Sequence, residues 1–64
     1  MSDHNAEVLA RVRALLDRWE REAQALEDNA AKSDNPHTAE RFQARAEELR
    51  MQIADLRKAL EGVS

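Results

Sequence analysis

The 64-residue chain has no cysteine and no tyrosine, and only one glycine, one proline, one tryptophan and one phenylalanine. Without cysteine it can form neither a disulfide nor a thiolate metal site. With a single Gly and a single Pro, long helix interiors can run unbroken. A surplus of one charge is also missing: 10 basic and 13 acidic side chains leave a net charge of -3. The signs are interspersed, five basic and seven acidic over residues 1–32 and five and six over residues 33–64. A nucleic-acid interface usually carries a basic surplus on one face, and neither half has one, so no nucleic-acid partner is expected. No apolar run approaches the roughly 18 residues of a membrane span, which argues against a membrane partner. Met1 to Asn5 lacks the basic stretch and apolar core of a signal peptide, so a cytoplasmic location is expected.

What the chain does have is two helical patterns separated by the single break Ser33-Asp34-Asn35-Pro36. The first predicts a helix from about Asp3 to Lys32. Its apolar positions Val8, Val12, Leu15, Trp19, Ala23, Leu26 and Ala30 step by 4, 3, 4, 4, 3, 4, an eleven-residue period. Leu9 and Leu16 widen this stripe on one side. The second predicts a helix from Pro36 to about Glu61. Ala39, Phe42, Ala46, Leu49, Ile53, Leu56, Leu60 and Val63 alternate steps of 3 and 4, a heptad seam. Asn35 is the expected N-cap, with Pro36 at the first helical position, where its missing amide has no intrahelical partner. Gly62 is expected in the left-handed conformation that ends many helices. Exposed pairs at i, i+4 such as Glu7–Arg11, Asp28–Lys32 and Arg57–Glu61 mark solvated helix faces.

Folding the chain at Asp34 brings the two stripes together. Ala30 meets Ala39, Leu26 meets Phe42, Ala23 meets Ala46, Trp19 meets Leu49, Leu15 meets Ile53, Val12 meets Leu56 and Val8 meets Leu60. The position numbers of every pair add to 68 or 69. The expected fold class is therefore all-α: one antiparallel two-helix hairpin over residues 1–64, with a turn at 33–35. Its expected core is Val8, Val12, Leu15, Leu26, Phe42, Leu49, Ile53, Leu56 and Leu60. A core this small buries too little surface to be comfortable alone. Leu9, Leu16 and Trp19 are the residues expected to self-associate, giving a homodimeric four-helix bundle or coiled-coil assembly.

The sequence offers little for chemistry. His4 and His37 each stand three residues before a carboxylate, Glu7 and Glu40, a spacing that can place metal ligands on one helix face. The hairpin holds these pairs at opposite ends, ~40 Å apart at 1.5 Å per residue, so no metal site is expected. No nucleophile stands beside a His–Asp arrangement, and no Gly-rich phosphate loop is present. The expectation is a chain without enzymatic activity and without a cofactor. Met51, on the polar side of the second helix, and Arg41, Arg45 and Arg50, the one basic patch, are the candidate contacts for a protein partner.

The length, the single short turn and the two amphipathic helices resemble the Rop family of plasmid RNA-binding hairpins, which dimerise into four-helix bundles. The runs Leu15-Leu16-Asp17-Arg18-Trp19-Glu20-Arg21-Glu22-Ala23, Ala46-Glu47-Glu48-Leu49-Arg50-Met51 and Ile53-Ala54-Asp55-Leu56-Arg57 are also similar to small helical proteins of actinobacteria and their phages. The second resemblance implies no activity. The leading expectation is thus a protein-interaction module that self-associates and binds a protein partner, of phage or actinobacterial type. A Rop-like RNA-binding dimer is the alternative.

Overall fold

A computed structural model describes the backbone of residues 2–62 and the side chains of residues 4–62. Two helices account for nearly all of it: α1, Ser2–Lys32, and α2, Pro36–Glu61. No strand is present among the described residues. Val63, the last position of the expected heptad seam, lies outside them.

The break between the helices forms as its residue types require. The amide of Ser33 bonds to the carbonyl of Ala30 at 3.4 Å, tightening the last turn of α1. Asn35 is extended at φ -96, ψ 117, the geometry that a following proline favours and an N-cap needs. Its side-chain oxygen accepts from the amides of His37 at 2.9 Å and Thr38 at 3.4 Å. Two donors that α2 leaves unpaired at its first turn are satisfied this way. The opposite end of α2 differs from expectation. Gly62 is right-handed, at φ -78, ψ -8, and its amide bonds to the carbonyl of Ala59 at 3.2 Å. A tightened last turn, not a left-handed residue, ends the helix.

The helices pack along one another in opposite directions. One continuous helix over residues 2–62 would be ~90 Å long at 1.5 Å per residue, whereas the longest extent of the molecule is 52 Å. Two ion pairs fix the sense of the chain: Glu27 bonds to Arg50 and Glu20 to Arg57. A step of seven along α1 is answered by a step of seven backwards along α2.

The core departs from the eleven-residue reading of α1. Leu16 is buried at 4% exposure and packs in one cluster with Ala23 and Ile53, flanked by Trp19, Leu49, Leu56 and Leu60. It belongs to the seam within the hairpin, not outside it. Leu15 and Val8, expected in that seam, are 37% and 46% exposed. The seam of α1 is therefore Leu9, Val12, Leu16, Trp19, Ala23, Leu26 and Ala30, which alternates steps of 3 and 4 as α2 does. Two helices with the same period stay in phase over their whole length, whereas a heptad stripe drifts from an eleven-residue stripe. Leu16 then falls level with Ile53 and Leu9 with Leu60, and the position numbers still add to 69. Ala23 and Ala46, level in the same register, are both fully buried. Small side chains there let the two backbones approach closely.

Candidate interaction surface

The two long edges of the hairpin are chemically different. Seen from Leu16 on the seam of α1, Glu20 lies one turn on toward one edge, and Trp19 turns toward the other. The same relation on α2 puts Arg57 and Leu49 on opposite sides of Ile53.

The first edge is closed by charge. Arg50 donates to both carboxylate oxygens of Glu27, at 2.9 Å through Nε and 2.7 Å through Nη2. This two-point contact matches the planar guanidinium to the carboxylate. Hydrogen bonding from Arg50 holds the Glu27 carboxyl below the usual carboxylate range, against the opposing effect of desolvation. The same bond raises the Arg50 guanidinium, with a further Coulombic contribution from Glu20. Glu20 itself bonds to Arg57 one heptad along. Within α1, Glu7 and Arg11 form an exposed pair at 3.1 Å.

Charge spacing at i, i+4 within one helix does not reveal these cross-helix pairs. Nor does the level register: Glu20 with Arg57 and Glu27 with Arg50 share a positional sum of 77, eight above the highest of the apolar pairs, so these long side chains reach along the axis to meet. The consequence falls on Arg50. It is committed to Glu27 and is not a free contact, so the basic patch is reduced to Arg41 and Arg45. Both are exposed, and they line a surface groove on α2 beside Phe42, together with Glu48. Met51 is 69% exposed on the outer side of α2.

The second edge is apolar and open. Val12, Trp19 and Leu26 of α1 and Phe42, Leu49 and Leu56 of α2 are only half-buried there. Leu15 and Val8 continue the stripe outward on α1. Between the helices a groove is lined by Glu22, Leu26, Arg45, Glu48, Leu49 and Gln52, so charged and polar side chains rim the stripe on both sides. Apolar surface framed by a polar rim is the usual anatomy of a protein–protein contact. Of the expected self-association residues, Trp19 lies in this stripe, Leu9 is half-buried beside it, and Leu16 is inside the core.

Among the described residues, no three His, Asp or Glu side chains converge as a metal site would require. None of the described helices is long and apolar enough to cross a membrane. Comparisons of the chain with protein-family models, with curated proteins and with solved structures find no match.

Proposed function

We propose that the chain is a non-enzymatic protein-interaction module that self-associates through the open apolar edge and presents its outer face to a protein partner. The observation that carries this reading is the asymmetry of the two edges. Ion pairs cover one side of the core, while Trp19, Leu49 and their neighbours stay half-exposed on the other, with Leu15 at 37% and Val8 at 46% beside them. A chain of this size gains much from covering such a stripe. A second copy that buries it completes a four-helix bundle. Met51, standing alone on the outer side of α2, is the apolar anchor offered to the partner.

Light scattering on a sizing column tests self-association: the expected mass is twice that of the chain at micromolar concentration. Leu15→Glu should return the monomer mass with the helices retained. The substitution puts a charge on a side chain that is solvent-exposed in the hairpin and covered only in the assembly. A wild-type chain that is monomeric and folded at every concentration would refute the reading.

A Rop-like RNA-binding dimer is the second reading, favoured by the placement of Arg41 and Arg45 beside Phe42. Glu48 in the same groove and the engagement of Arg50 by Glu27 weigh against it.

A further inference from the structure

Self-association alone leaves open how two hairpins stack, and the charged rims of the open edge decide between the arrangements. On α1, Glu22 lies just outside the apolar stripe, and Arg11 and Arg18 lie one position further round. On α2 the corresponding places are taken by Arg45, and then by Glu48 and Asp55. The groove that joins Glu22, Arg45 and Glu48 on one side of the hairpin confirms their placement on this edge. The ion-paired edge carries Glu20, Arg50 and Arg57 instead.

Two-fold stacking of the open edges can occur in two ways. With the axis parallel to the helices, α1 of each copy lies beside α2 of the other, and the levels are those of the hairpin itself. Partners then share nearly the same positional sum as the seam. Glu22 comes level with Arg45 of the other copy, Arg18 with Glu48, and Arg11 with Asp55, with sums of 67, 66 and 66. All three pairs are opposite in sign. With the axis perpendicular to the helices, α1 lies on α1 and α2 on α2. With the two copies in full overlap the axis passes near Arg18, about the middle of α1, so that Arg18 comes close to its own copy and Glu48 to Asp55. Like charges placed level across an interface disfavour it.

Resting on the self-association reading, we propose that the homodimer has its two-fold axis parallel to the helices, with both 33–35 loops at the same end. Charge complementarity along the rim selects this arrangement, and the Trp19 stripe supplies the buried area.

The chain has no cysteine, so Asp34→Cys in the exposed loop gives a single site for a spin label. Neighbouring helix axes in a bundle are ~10 Å apart, so loops at one end should give a label–label distance within about 25 Å. Loops at opposite ends would give about 45 Å, the length of a 31-residue helix at 1.5 Å per residue. A dimer with the long distance overturns the proposed stacking and leaves self-association standing. A labelled chain that stays monomeric overturns both. A second measurement reads the charges directly. Arg18→Glu should weaken dimerisation roughly fivefold, the scale of two symmetry-related surface pairs, and Glu48→Arg in the same chain should restore it. A double variant that is weaker than either single one refutes the pairing.

Discussion

Adjacent leucines in α1 make the sharpest test of the core. Leu16 is 4% exposed and Leu15 is 37% exposed, yet sequence periodicity alone admits either as the seam residue. Truncating Leu16 to Ala removes three carbons, worth about 0.8 kcal/mol each in transfer free energy. The space lies in the cluster of Ala23 and Ile53 with Trp19, Leu49, Leu56 and Leu60 packed around it, and these neighbours, held by their own backbones, relax into it only in part. A cavity cost therefore adds to the transfer cost, for a total of about 3 kcal/mol. Domains of this size typically hold roughly 3–10 kcal/mol in all, so a third or more of the stability is at stake. Leu15→Ala removes the same carbons from a site that is already partly wet and encloses no cavity. Its cost within the hairpin should be about 1 kcal/mol. Urea melts followed by far-UV circular dichroism measure both, as shifts in midpoint at unchanged slope. The two variants should also separate by concentration. The Leu15 cost should grow as the protein dimerises and covers that side chain, whereas the Leu16 cost should persist at every concentration. Equal losses for the two variants throughout would mean that the heptad seam in α1 is not the one that forms.

Three further outcomes are expected. Gly62→Ala should stabilise the chain by about 0.4–1 kcal/mol, because the residue is right-handed and an added Cβ meets only the Ala59 carbonyl, at an ordinary 3.5 Å; a loss of thermal stability would show that a left-handed end forms instead. The Glu27 carboxyl is lowered in the fold, so its contribution is present above the ordinary carboxylate range and fades as pH falls through the folded value. Glu27→Gln should thus be less stable than wild type near neutrality and converge with it in acid, and a gap of constant size across an acid titration would contradict this. A mobility-shift assay with RNA and duplex DNA at ~150 mM salt should show no complex at low micromolar protein, since Arg41 and Arg45 alone supply too few phosphate contacts; a complex abolished by changing both to Ala would favour the Rop-like reading.

The helices and the turn could be read directly from residue chemistry. Asn35-Pro36 acts locally: the proline restricts the residue before it, and the asparagine caps the first turn of α2. No tertiary information is needed to place α2 at Pro36. The register was legible as well, because a short loop forces level residues to a constant positional sum. The phase of α1 was not. Leu15 and Leu16, like Val8 and Leu9, sit only about 100° apart on the helix, and both choices give an apolar stripe. Only the partner helix resolves them, since α2 offers no alternative to its heptad seam and α1 must match it. Gly62 shows the same limit at smaller scale. Glycine permits a left-handed end, but the conformation depends on where the last carbonyls find donors, and here Ala59 finds the Gly62 amide within the right-handed turn.

The ion-paired edge also explains why this hairpin settles on one register. A heptad seam is periodic, so sliding α2 by seven residues would keep apolar side chains facing apolar side chains. Three features oppose the slip. The 33–35 loop is too short to release a further turn on either side. Ala23 and Ala46 are both fully buried at one level, and a slip would set Ala46 against Leu16 or Ala23 against Ile53, leaving voids in one layer and crowding the next. Charge is the third. Glu27 would lose its two-point contact with Arg50 and face Gln43 or Arg57 instead, so that at most part of the pairing along that edge survives. Two small residues and two heptad-spaced acid–base pairs thus exclude the alternatives that the seam alone permits. The open edge has the same ingredients in complementary form: an apolar stripe that gives area without register, and alternating rim charges that give register without much area. In the proposed dimer, the rule that selects one hairpin among its slipped alternatives also selects one stacking of two hairpins.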